Sequence, residues 1–308
     1  MSPRAVAFAR GLLATRARRA AWWALLIGAV LEIVARHYIA GPLDLLRPSQ
    51  DPELVFEIKP GHYESDGYLH RIAEVTYDID ADGCRRWGGP APRTALAFFG
   101  SSLAFGLGVP LEQTFPHRAW ASLAARRSPG ALPAVNCSVP GHNLLQTVRG
   151  AALVAQRERP RVVAVLLHPF HMRAVYDWSS LTPRSPPLRW LTRHVRVARI
   201  AYLVYLVRSS HDFATDYESP ARLASALDRL AATLRATDGR AVFFLLGEMR
   251  HPGFDLTRAL DARGIAWRVI TAPTHDETLD GDHWSARGHA AVAARIEGAL
   301  AETLAATR

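Results

Sequence analysis

Five short apolar segments, 95–99, 134–138, 162–167, 241–246 and 266–270, alternate with helix-length segments along this 308-residue chain. That alternation limits the fold more than any other feature. The helical segments run over 112–126, 144–158, 219–236 and 254–263, with a last one at about 285–304. Short buried strands separated by helices predict a five-stranded parallel, doubly wound sheet of the flavodoxin-like kind, covered on both faces. In such a sheet, ligands bind beyond the C-terminal strand ends, so the loops there are where chemistry is expected.

The remaining segments are read against this sheet. Residues 41–93 are rich in Pro, Gly and Asp, with a β-like run "EVTYDID" and turn signals in "ADG" and "GGP". They predict a small β-rich extension packed on a main domain spanning 94–308. An insertion at about 172–218 carries "LRWLTRHVRVARIAYLVYLV", with Arg189, Arg193 and Arg196 at helical spacing. Both a membrane-surface helix and a cap on the core fit that pattern.

The N-terminus holds "AAWWALLIGAVLEIVA" behind Arg4, Arg10, Arg16, Arg18 and Arg19. As a helix this run spans roughly 24 Å, slightly short of a bilayer's hydrocarbon core. Flanking arginines can snorkel, and Trp22 and Trp23 suit the interface. Glu32 sits near the far end, within reach of headgroups. No small-x-small cleavage site follows, which disfavours a removed signal peptide, and five arginines on one side disfavour a buried core helix. The expectation is a basic cytoplasmic tail over 1–19, a transmembrane anchor over 20–40, and a domain outside the bacterial inner membrane, in the periplasm. The formal charge of +9 invites a nucleic-acid reading. The arginines are scattered or lie in the tail, and Lys59 is the only lysine, so no nucleic-acid partner is expected. Two cysteines, Cys84 and Cys137, make neither a disulfide scaffold nor a structural zinc site. In a periplasmic domain they could pair, which sequence alone leaves open.

The stretch "FFGSSLAFGLGV" places Ser101 and Ser102 at the C-terminal end of the first strand, at the mouth of the expected crevice. Backbone N–H groups at such a turn can face a developing oxyanion. The lipase-type elbow Gly-x-Ser-x-Gly is not met, because Ala104 occupies the second glycine position. A serine nucleophile needs a base and the base an orienting carboxylate. "LDGDHWSARGH", after the fifth strand, offers Asp280 and His283.

These blocks resemble the SGNH (GDSL-like) hydrolase superfamily. Gly100-Ser101-Ser102 with "LAFGLGV" is similar to anchored members reading "GDSFTFGxGV". "NCSVPGHNLLQ" resembles the second block, and Asp280-Gly281-Asp282-His283 meets Asp-x-x-His, followed by "GHAAVA". The resemblance covers about 94–308. It implies Ser102 as nucleophile, His283 as general base and Asp280 as the residue holding the imidazole tautomer. Asp282 is the alternative acid, with capping of the final helix as its other role. Backbone N–H groups of Ser102 and Gly141 would be oxyanion donors.

Two positions depart from the family pattern. Ser101 replaces the aspartate of Gly-Asp-Ser. Where the family has Gly-x-Asn-Asp, with Asn as an oxyanion donor, this chain has His168, Pro169, Phe170 and His171. Phe170 donates nothing, so His168 or His171 is the candidate replacement. A metal on His168 and His171, with His283 as an optional third ligand, is one further reading, and histidines at a strand end bonded to backbone are the ordinary one; no metal or cofactor is expected. The expectation is a membrane-anchored serine esterase or O-acyltransferase acting on acyl esters of cell-envelope glycans, with a membrane protein partner allowed. The alternative is a catalytically degenerate SGNH-like domain serving as a glycan-binding or scaffold subunit.

Overall fold

The computed structural model describes residues 3–38, 45–65, 75–88, 94–126, 132–174, 185–195, 197–198, 201–202, 217–279 and 283–307. The chain divides into two compact units, one of 1–41 with 181–210 and one of 42–180 with 211–308. In the first unit, helix α1 (Pro3–Tyr38) takes in the basic tail as well as the apolar run. Its middle exposes Trp22 (74%), Trp23, Leu26, Ile27, Val30 and Ile33. Among the described residues no helix is long and apolar enough to cross a membrane. The Glu32 carboxylate accepts from the Val197 N–H at 3.0 Å, which ties α1 to the insertion. The insertion's described helix, Pro186–His194, therefore shares a compact unit with α1.

The second unit holds the sheet. Its extension contributes β1 (Leu46–Pro48), β2 (Phe56–Ile58), β3 (Gly61–Ser65), β4 (Val75–Ile79) and β5 (Arg85–Trp87). The parallel strands are β6 (Leu96–Phe99), β7 (Ala134–Asn136), β8 (Val162–Leu167), β9 (Arg240–Leu246) and β10 (Ala266–Ile270). The spatial order is β10-β9-β8-β6-β7-β5. Without β5 this is the flavodoxin-like order expected, with the chain reversing direction between β6 and β8. Two features differ from the expectation. First, β5 joins β7 antiparallel, so the extension supplies a sixth strand and covers that edge. Second, β10 is not a buried strand: as the other edge it leaves Arg268 and Val269 exposed, Val269 by 62%.

Burial follows the two-residue alternation of strands. Leu96, Phe98, Ala164, Leu166, Val242 and Phe244 face the side covered by Phe115–Ala124 and Ala286–Ala305. Ala97, Phe99, Val163, Val165, Phe243 and Leu245 face Leu144–Glu158 and Pro220–Ala236. A third cluster belongs to the extension: Phe56, Ile58, Val75, Tyr77 and Ile79 pack on Phe105 and Val139 of the domain.

Cys84 and Cys137 are bonded across the β5–β7 pair, 53 residues apart in sequence. Closing a loop of that length restricts the unfolded chain, and removing such a bond costs about 2–5 kcal/mol. The double variant Cys84→Ala/Cys137→Ala is therefore expected to unfold at clearly lower urea concentration. An unchanged midpoint would show that the bond contributes nothing to stability.

Candidate active site

The first strand ends where space runs out. At Gly100 a Cβ would come within 2.6 Å of the Ala104 Cβ and 2.8 Å of the Leu166 carbonyl oxygen, so only glycine fits. The chain turns there, and Ser102 opens the one-turn helix α2 (Ser102–Phe105), which Gly106 ends in the left-handed conformation. Ser101 is buried, 3% exposed, whereas Ser102 is half-buried.

The loop after β7 is fastened to this turn: the Val139 N–H donates to Gly100 O at 3.1 Å. Gly141 follows in a turn with φ of 85°. After β8, on the other side of the reversal, His168 brings its Nε2 to 3.1 Å from Ser101 Oγ. Phe170 stacks on the His168 ring, with centroids 5.9 Å apart and an interplanar angle of 18°. His171 points elsewhere. It is fully buried, and its Nδ1 accepts from the His168 backbone N–H at 3.1 Å. Of the two expected donors, then, His168 stands at the serine turn and His171 braces the loop behind it. Among the described residues, no group of three or more His, Cys, Asp or Glu could hold a metal ion.

His283 lies on the loop before the last helix. The Leu279 N–H donates to His283 O at 2.6 Å, and Thr278 bridges Trp284. Trp284 is buried, so it anchors one end of this loop while His283 is half-buried. The Ser285 side chain accepts from the Gly288 N–H and starts the last helix, Ala286–Ala305. Asp280 and Asp282 lie outside the described residues.

Electrostatics link His168 to His283. Burial, followed by the charge of His283, pushes the His168 imidazole down to about 4. At neutral pH the ring is uncharged and keeps one N–H. Burial also lowers His142 to about 4, where its Nε2 faces Phe56 O at 2.9 Å, and lowers His171 well below its ordinary value. His289, lowered to about 3 by burial and then by Arg118 and Arg85, accepts the Phe115 N–H on its Nδ1 at 3.1 Å.

The fold is an α/β one with a mostly parallel central sheet in the flavodoxin-like order. This sheet carries Ser102 after its first parallel strand and His283 before its last helix. No family model matches the sequence, and no curated protein matches it. Solved structures similar to it include Axe2, an acetylxylan esterase from Geobacillus stearothermophilus, in a serine-to-alanine catalytic mutant. That likeness covers 67% of this chain and 94% of the esterase at 10% identity, with a TM-score of 0.40. A GDSL-like lipase from Parabacteroides merdae shares 12% identity over 67% of this chain and 95% of its own, with a TM-score of 0.39. The esterase EstA from Pseudoalteromonas sp. shares 10% identity over 70% of this chain and 96% of its own, with a TM-score of 0.38. At these scores the likenesses add nothing to what the chain's own geometry shows.

Neutral buried histidines have a consequence for stability. Their folded values lie below the ordinary 6.5, so the unfolded chain takes up protons first as pH falls. The stability is fully present above about pH 6.5 and is lost as pH drops toward 4, at about 1.4 kcal/mol per pH unit for each proton. The melting temperature is expected to fall over that window, and His142→Gln to make the fall shallower. A melting temperature constant from pH 7 to 4 would refute neutral burial of these rings.

Proposed function

We propose that this chain is a serine esterase or O-acyltransferase of the SGNH type, with Ser102 as nucleophile. The supporting observation is the convergence at the sheet's reversal point: Ser102 leaves β6 there, and His168, leaving β8, brings its Nε2 to 3.1 Å from Ser101 Oγ beside it. In the proposed reaction, Ser102 Oγ attacks the ester carbonyl carbon while His283 takes the hydroxyl proton. Asp280 orients and stabilises the imidazolium. The tetrahedral oxyanion is met by the N–H groups of Ser102 and Gly141 and by the neutral His168 ring in place of the family's Asn. Collapse expels the alcohol, which takes the proton from His283. Water or an acceptor hydroxyl then gives its proton to His283 and attacks the acyl carbon, the bond from that carbon to Ser102 Oγ breaks, and Oγ takes the proton back, giving hydrolysis or transfer.

A fluorophosphonate is expected to label the wild type. Ser102→Ala abolishes labelling, and Ser101→Ala keeps most of it. A second reading is favoured by one contact: the Ser101 Oγ–His168 Nε2 approach at 3.1 Å is a serine–histidine pair already at hydrogen-bond distance. Its prediction is the reverse pattern, loss with Ser101→Ala. Burial of Ser101 at 3% exposure opposes it. With Ser102 as nucleophile, His168→Ala lowers turnover of a small acetyl ester about a hundred- to a thousandfold, the cost of one oxyanion donor. Unchanged turnover would remove His168 from the oxyanion site. Absence of both labelling and turnover would favour the scaffold alternative.

The proposal extends to acyl esters of cell-envelope glycans, from the resemblance to anchored members, and to a location outside the inner membrane. Two observations support that location. The middle of α1 exposes two tryptophans and a run of aliphatic side chains next to Arg18 and Arg19, which suits a bilayer anchor. The Cys84–Cys137 disulfide suits an oxidising compartment. A C-terminal alkaline phosphatase fusion is expected to be active in cells and to sediment with membranes; an inactive fusion would overturn the topology.

A further inference from the structure

The turn carrying Ser102 is too short to hold itself. A one-turn helix leaves its last carbonyls without helical partners, and here two buried side chains from neighbouring strands supply donors. Asn136 Nδ2 donates to Ala104 O at 2.8 Å, and Arg85 Nη1 donates to Phe105 O at 2.9 Å. These two residues are direct cross-strand partners in the β5–β7 pair, so their side chains share one face of the sheet. Each is nearly inaccessible, Arg85 at 2% and Asn136 at 1%. Asn136 is itself fixed, because its Oδ1 accepts the Ser138 N–H at 3.1 Å.

Arg85 is the unexpected member, since an arginine is costly to bury without compensation. Its guanidinium lies 5.3 Å from the Tyr77 ring centroid and 5.4 Å from that of Phe105. Tyr77 belongs to the extension, and its hydroxyl accepts the Gly108 N–H at 2.8 Å. The loop 100–109 is thus gripped at Ala104, Phe105 and Gly108. The next cross-strand pair is Cys84–Cys137, whose disulfide fixes the register that sets Arg85 opposite Asn136.

We propose that Arg85 and Asn136 are positioning residues, which hold the nucleophile turn by its C-terminal carbonyls. This rests on reading Ser102 as the nucleophile. Neither side chain touches the reacting atoms in this scheme, so their loss acts through the placement of Ser102. Small misplacement at a reacting atom costs on the order of a hundredfold in rate. Replacing a buried guanidinium also threatens folding, so the variants are graded. Arg85→Lys keeps a cation with shorter reach, Arg85→Met removes it, and Asn136→Asp keeps the Ser138 contact while removing the donor to Ala104.

The full-length protein is assayed for fluorophosphonate labelling rate, for kcat and KM on a small acetyl ester, and for amide hydrogen exchange at Phe105, Gly106 and Leu107. Arg85→Met and Asn136→Asp are expected to lower labelling rate and kcat by about ten- to a hundredfold with KM little changed. Exchange at the three amides becomes faster, and Arg85→Lys recovers part of the rate. If Arg85→Met does not fold, Arg85→Lys and Asn136→Asp decide by the same measurements. A lower melting temperature with wild-type labelling rate and unchanged exchange in the turn would reduce both residues to structural roles and overturn the proposal. A wild type that labels at Ser102 beside unaffected variants sinks only the positioning proposal. A wild type with no Ser102 labelling sinks the nucleophile reading and this proposal together.

Discussion

The burial of β6 is the constraint on which the rest depends. Its four residues are closed off on both faces and paired on both edges, with β8 on one side and β7 on the other. At its end, the Leu166 carbonyl and the Ala104 side chain leave no space for a Cβ at Gly100. The chain can only turn outward, and the turn delivers Ser101 and Ser102 to the line where the sheet reverses. A central strand is the most rigid support such a turn can have, because moving it would break two ladders and two cores.

The extension completes this arrangement. Its strand β5 continues the sheet, and its apolar cluster closes over Phe105 and Val139, one from the serine turn and one from the loop after β7. Further ties come from the Gln146 side-chain amide donating to Leu54 O at 2.6 Å and from His142 against Phe56 O. The described residues of the extension, 45–65 and 75–88, therefore wall one side of the serine turn. Their deletion would uncover one sheet edge and the hydrophobic side of the serine turn at once.

Four histidines near the site differ by environment rather than by kind. His142, His171 and His289 are deeply buried and engage the backbone, so their rings serve the loops. His168 lies partly open at the serine turn, and burial keeps it neutral. A neutral ring can donate one hydrogen bond without carrying a positive charge into the crevice. That chemistry suits the position where the resembled family has an amide side chain.

The sequence by itself determined the strands, the helices and their order, because buried parallel strands are written as unbroken apolar runs such as "VVAVLL" over 162–167. It determined the place of Ser102 for the same reason, since a serine just after a buried strand must lie at the strand's end. It did not reveal β5: "RRW" at 85–87 is three residues with two arginines, and only its pairing to β7 makes it a strand. Nor did it reveal that β10 is an edge, as its apolar residues read the same whether one or two neighbours flank it. The place of His168 rather than His171 beside the serine turn, the Cys84–Cys137 bond and the contacts of Arg85 and Asn136 were decided by tertiary structure alone. Each depends on which side chains from distant segments share a few ångströms, and local hydrophobic pattern carries no information about that distance.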